Sequence, residues 1–323
     1  MRRVGCLILG IVVAALLYFA VDFIGGWTHA GPLKHDTSVV VPQGASLRSM
    51  ARQLEEQGAI RSADRFLLQA KLFGGRGVIK VGEYRIPTGA SSADILAILQ
   101  SGKTINYLVV IPEGMPSILV YERLMANKDL VGDVAVPEEG SVMPDSYAYQ
   151  KGETRKAVLA RMQAAMARFL AEQWPRRSAN AVVSTPQQAI TLASIVEKET
   201  AIPAERPIVA GVYGNRLRAG MMLQADPTII YPLTKGKPLG RRIRRSEITA
   251  VNDYNTYAMT GLPKGPIANP GRTSIEAVLR PAETKALYFV ADGAGGHIFA
   301  ETLDQHNANV RKWFEIRRAR GEM

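Results

Sequence analysis

The stretch TLASIVEKETAIP, Thr191 to Pro203, sets two glutamates, Glu197 and Glu199, at the end of an apolar helical run. A carboxyl group does acid–base chemistry near neutral pH only when its surroundings hold the proton on. At about 100° per residue, with Ile190 as zero, Ala189, Leu192, Ala193, Ile195 and Val196 cover an arc from roughly 140° to 300°. Glu199 falls inside that arc at about 180°, Glu197 on its margin at about 340°, and Lys198 points away. Burial disfavours a charged carboxylate, so Glu199 is the acid aimed at chemistry. The bland alternative is a helix end at which Glu199 meets solvent or pairs with Arg206 or Lys198.

The elements that must position this acid read as follows. Thr185-Pro186 supplies an N-cap and a first-turn proline for its helix. A long helix precedes it, roughly Thr154 to Trp174, with Val158, Met162, Ala165, Met166 and Phe169 on one face. After it come Gly-, Pro-, Asn- and Tyr-rich loops, a strand near Tyr288-Phe289-Val290, and a basic helix from Asp304 to Arg320. Upstream, a pattern recurs in VVVPQGASLRSMARQLEEQGAI (39–60), YRIPTGASSADILAILQSGK (84–103) and VVIPEGMPSILVYERLMANK (109–128). Each is a β-like run, a Pro-x-Gly and a helical pattern, with Ser46 and Ser91 as N-caps in the first two. Gly74-Gly75-Arg76-Gly77 is a turn within this region, and the acid- and glycine-rich 132–152 reads as a connection.

The chain opens with MRR and then VGCLILGIVVAALLYFAVDFI, Val4 to Ile24, charged only at Asp22. About 20 apolar residues cross a bilayer, and Arg2 and Arg3 ahead of them favour a cytoplasmic N-terminus with the remainder exported. A signal peptide cut near Thr28-His29-Ala30 is the alternative, and it exports the rest equally. Cys6, the one cysteine, lies in this span and reads as a small apolar residue, so no thiol chemistry is expected outside it. With 323 residues and a net charge of +11, the chain suits an anionic setting. Export directs that charge to a membrane surface or an acidic polymer, not to nucleic acid. His297 and His306 lack the spacing and neighbours of a zinc site, so no metal or cofactor is expected. The run Arg241-Arg242-Ile243-Arg244-Arg245 reads as a solvated basic loop.

ASIVEKET, followed by NRLRAGMMLQADPTIIY (215–231), YNTYAMTGLPKGPIANPG (254–271) and LYFVADGAGGHIFAETLDQHN (287–307), resembles the endolytic murein transglycosylase, or YceG-like, family. The match runs in one order over about the last 130 residues. VGEYRIPTGAS and the Pro144-Asp145-Ser146-Tyr147 element agree with it upstream. Gly214, Met222 and Lys264 depart from the family pattern without touching the acid.

The resemblance implies an α+β protein: a transmembrane anchor over 1–28, a LysM-like region over 36–130, a connection over 131–153 and a catalytic domain over 154–323. It implies cleavage of the β-1,4 bond from N-acetylmuramic acid to N-acetylglucosamine within glycan strands, leaving 1,6-anhydro ends, with Glu199 as the acid. Gln224, Asp226, Tyr254, Asn255 and Tyr257 are the expected substrate contacts, and Glu197 the group that helps position Glu199. Glycan strands and the inner membrane, with the bulk of the chain on its outer side, are the expected surroundings, and peptidoglycan synthases the suggested partners. Two alternatives stay open: a non-catalytic glycan-binding scaffold, and a muramidase-type hydrolase using Asp226 as second carboxylate.

Overall fold

The computed structural model describes residues 2–321, and side chains from Gly10 onward. The side chains of Arg2, Arg3 and Cys6 lie outside the described residues. The chain forms two compact units, 1–107 with 148–153 and 108–147 with 154–323.

The first unit opens with helix α1 (Arg2–Thr28), whose Gly10–Thr28 portion is long and apolar enough to cross a membrane. Strand β1 (Thr37–Val41) pairs antiparallel with β2 (Gly82–Ile86), Val39 opposite Tyr84. Between them lie α2 (Leu47–Glu56) and α3 (Ala63–Phe73), and α4 (Ser92–Ser101) follows β2. Ser46 and Ser91 each accept a hydrogen bond from the backbone N–H three residues on, closing capping boxes with Ser49 and Asp94. Met50, Leu54, Phe66, Tyr84, Ile95 and Leu99 fill the core.

The recurring Pro-x-Gly has a backbone cause. Ala45 and Ala90 donate to the carbonyls of Pro42 and Pro87, and Gly44 and Gly89 sit at φ +79° and +70°. A tight turn with positive φ at its third residue takes glycine there and proline near its start. The third copy makes the same turn, Met115 to Pro112 with Gly114 at φ +70°, but belongs to the second unit.

Strands β3 (Tyr107–Val110) and β4 (Ser146–Tyr149) carry the chain into the second unit and back. The helix α5 (Ser117–Ala126) lies between them, and α6 (Arg155–Gln173) follows, capped by Thr154 and turning Val158, Met162, Met166 and Phe169 inward. At the centre is α7 (Pro186–Glu199), capped by Thr185 and almost wholly buried from Ala189 to Val196. It packs on α8 (Arg206–Arg218), α9 (Asp226–Thr234) and α11 (Arg272–Leu279), with the short α10 (Arg245–Ile248) before the last. Antiparallel β5 (Tyr288–Ala291) and β6 (His297–Ala300) and the helix α12 (Leu303–Ala319) complete an α+β protein.

Candidate active site

Glu199 is the last residue of α7, where Thr200 leaves the helix at φ −138° and Pro203 opens the next turn. The residue as a whole is partly exposed, but its Oε1 is shut off from solvent and has no hydrogen-bond partner among the described residues. Burial pushes its carboxyl up to about 7; the Tyr213 hydroxyl and the Arg216 charge pull the other way, and the Asp226 charge adds to the rise. The negative end of the α7 dipole acts in the same direction as burial.

The two glutamates therefore separate by pairing, not by burial. Glu197 is 4% exposed at its side chain, more enclosed than its place on the margin of the apolar arc predicts. Its Oε1 takes Arg206 Nη2 at 3.0 Å and its Oε2 takes the Gly271 N–H at 2.8 Å. Arg206 also reaches Glu113 at 3.1 Å and bonds Thr273. A Cβ at Gly271 would fall on the Glu113 side chain, so a larger residue there would have to displace Glu113 from Arg206. Glu197 thus ties α7 to the start of α11, while Arg206 is spent on it and leaves Glu199 unpaired.

Tyr213 and Arg216 stand one turn apart on α8. Tyr213 is fully buried against Phe289, and burial together with the Glu199 charge holds its hydroxyl well above the usual range. Arg216 is fixed by the carbonyls of Leu287 (2.6 Å) and Leu223 (2.7 Å) and lies over Tyr288. It is a charge held in place by backbone, not by a carboxylate.

Of the expected substrate contacts, Gln224 and Asp226 are exposed, on the segment entering α9. Gln224 holds φ +53°, a left-handed backbone for a side chain with a Cβ, and its N–H donates to Thr256. Strain of this kind persists only where the surroundings over-determine it, and it clusters at functional sites. Here the clamp is a buried threonine pair: Thr256 Oγ1 takes the Ala225 N–H at 3.0 Å and lies 2.8 Å from Thr228 Oγ1. The same clamp brings Tyr257 to Asp226, its hydroxyl donating to Oδ1 at 2.7 Å. Tyr254 packs its ring on Tyr231 at 4.8 Å.

Asn255 behaves differently from these. It is fully buried; its Nδ2 donates to the carbonyls of Glu247, Ile248 and Ala250, and its Oδ1 accepts from Tyr257. Its amide is consumed in shaping the loop beyond α10. His297 hydrogen-bonds Glu205 at 2.8 Å and His306 stacks on Tyr288.

Several groups at the site carry no local sequence signal. Tyr213, Thr228 and Thr256 are set by pairings with residues far along the chain. Glu139 is a second carboxyl raised by burial, taking the Ser117 N–H at 2.8 Å. Burial and the Glu139 charge also raise the Tyr231 hydroxyl, whose ring packs on Tyr254.

With the geometry in place, the relatives are informative. Residues 39–312 match the model of the YceG-like family. The chain belongs to the YceG-like family. A Bacillus subtilis protein named endolytic murein transglycosylase is 27% identical, over 90% of this chain and 89% of its own length. A Streptococcus pneumoniae protein of the same name is 28% identical over 86% of this chain, which spans 58% of that longer relative. A crystal structure of a YceG-like protein from Listeria monocytogenes superposes with a TM-score of 0.54 at 26% identity, over 85% of this chain and 99% of that one.

Proposed function

We propose that this YceG-like chain is a membrane-anchored endolytic lytic transglycosylase acting on peptidoglycan. The observation that carries the proposal is Glu199: an enclosed carboxyl with an unpartnered oxygen, pushed by burial up to about 7. Protonated Glu199 gives its proton to the oxygen joining muramic C1 to the next sugar. The C1–O bond breaks, and the departing N-acetylglucosamine keeps the electron pair. The C6 hydroxyl oxygen of the same muramic residue bonds to C1, and its proton passes to the Glu199 carboxylate. No water is consumed and the acid is regenerated.

In this scheme Asp226, steadied by Tyr257, faces the positive charge that develops at C1. Gln224 and Tyr254 hold sugar substituents, Asn255 keeps the loop, and Glu197 fixes the Gly271 turn beside α7. Anchoring by residues 1–28, with the bulk of the chain outside the membrane, is part of the proposal and is supported by the apolar Gly10–Thr28 helix. So is a LysM-like role for the first unit, supported by its β1-α2-α3-β2 order with antiparallel strands. Action near peptidoglycan synthases is part of the same proposal.

A muramidase-type hydrolase is the second reading, in which Asp226, whose charge adds to the rise at Glu199, is the second carboxylate. Ordinary glycosidases use such a pair. The proposal is tested by the length distribution of purified glycan strands after incubation with the full chain and with Glu199→Gln. Internal shortening by the wild type alone is expected. Equal shortening by the variant would remove Glu199 from the chemistry, and binding without shortening by either would favour a scaffold.

A further inference from the structure

The apolar helix α1 does not end in a free tether. Its last turns are built into the first unit: Trp27 is buried against Phe66, and Asp22 pairs with Arg65 at 2.8 Å. Gln69 Nε2 donates to the Phe23 carbonyl at 2.6 Å, and the Phe73 ring lies 6.1 Å from that of Phe23. Phe66 and Phe73, two turns apart on α3, both meet Trp27, and Arg65 and Phe73 both meet Phe23, so α3 lies across the last turns of α1, at the end of its apolar span.

A hydrocarbon core about 30 Å thick is crossed by about 20 helical residues. Counted from Val4, the residue after the two arginines, such a span closes near Phe23. The end of α3 is therefore at the depth where α1 leaves the bilayer. What α3 shows there is apolar: Leu68 is 51% exposed, Leu72 61% and Phe73 45%. Leu68 and Leu72 are four residues apart and share one stripe. The exposed Lys71 and Arg76 flank it, long cationic side chains of the kind that reach phosphate headgroups while their stems stay in apolar surroundings. A cleft of about 300 Å³ opens at the same junction, lined by Asp22, His29, Arg61 and Arg65 and reaching Tyr18 and Val21 on α1.

We propose that the exposed stripe of α3, Leu68, Leu72 and Phe73, is a second membrane contact, seated in the outer leaflet beside α1. The proposal rests on the reading of α1 as a membrane anchor and adds to it. Two contacts instead of one fix the tilt of the first unit on the bilayer. A continuous helix with its end packed into that unit then passes the orientation on rigidly.

The test uses the full chain with Cys6→Ala, reconstituted into phosphatidylethanolamine–phosphatidylglycerol vesicles. An environment-sensitive fluorophore is placed on a single cysteine at Leu72 or, separately, at Leu16 in the middle of the span. Both positions are more than half exposed, so neither exchange disturbs the core. With lipid carrying a spin label near the headgroup, the Leu72 probe should be blue-shifted and quenched by about twofold or more, as expected for an interfacial group. A Leu16 probe that reports lipid beside a Leu72 probe that reports water would overturn the proposal and leave the anchor standing. Two probes in water would overturn the anchor reading, and the proposal with it.

Discussion

A carboxyl held at about 7 instead of 4.5 makes a stability prediction that is separable from catalysis. Each tenfold change in proton affinity is 1.36 kcal/mol, so the folded state disfavours the Glu199 anion by about 3 kcal/mol relative to the unfolded chain. The sign follows from the raised value. Below the unfolded pKa both states carry the proton and no penalty exists. As pH rises the folded state holds its proton longer, stability falls, and the full penalty is present above about 7. Glu199→Gln keeps the shape and cannot ionise, so it escapes the penalty. The variant should gain about 3 kcal/mol over wild type at pH 8 and about 1 kcal/mol or less at pH 5. For a unit of this size the gain at pH 8 is roughly 6–12 °C in Tm. Thermal unfolding of both proteins at the two pH values measures it, and comparing differences cancels every other titrating group. A gain that is equal at both pH values would refute the assignment of a raised acid at Glu199.

Three further outcomes follow from neighbouring contacts. Asp226→Asn removes a charge that raises Glu199, so the fall of kcat at high pH should begin at lower pH than in wild type; an unmoved profile would mean the two carboxyls do not sense each other. Glu197→Ala leaves Arg206 enclosed with one partner fewer and frees the Gly271 N–H, and should cost about 3 kcal/mol in denaturant unfolding. Gln224→Gly relieves a left-handed backbone and should raise stability by about 1 kcal/mol while lowering kcat/KM. Loss of both would show that the side chain holds the loop and does not serve the site.

The parts of this molecule that the sequence makes legible are those set by local periodicity and turn chemistry. Pro-x-Gly at 42–44, 87–89 and 112–114 announces a turn because only glycine sits easily at positive φ, and all three turns form. The apolar arc of α7 picks Glu199 because direction on a helix depends on spacing alone. It misjudges the burial of Glu197, since Arg206 and Gly271, which enclose that carboxylate, come from outside the helix. Asn255 illustrates the same limit. An amide suits a sugar by type, but the carbonyls it serves at 247, 248 and 250 are chosen by the loop's path. Tyr213, Glu139 and the Thr228–Thr256 clamp likewise exist only once distant segments meet. The third Pro-x-Gly copy joins the second unit for a similar reason: its turn packs beside Glu197 and Lys198, contacts no repeat pattern encodes.

The measurement that reaches the central claim most directly is mass spectrometry of product ends from peptidoglycan strands cut by the full chain, with Glu199→Gln alongside. The account predicts 1,6-anhydromuramic ends from the wild type and none from the variant. Reducing muramic ends from the wild type would contradict it, transferring the role of second carboxylate to Asp226 and the reaction to water.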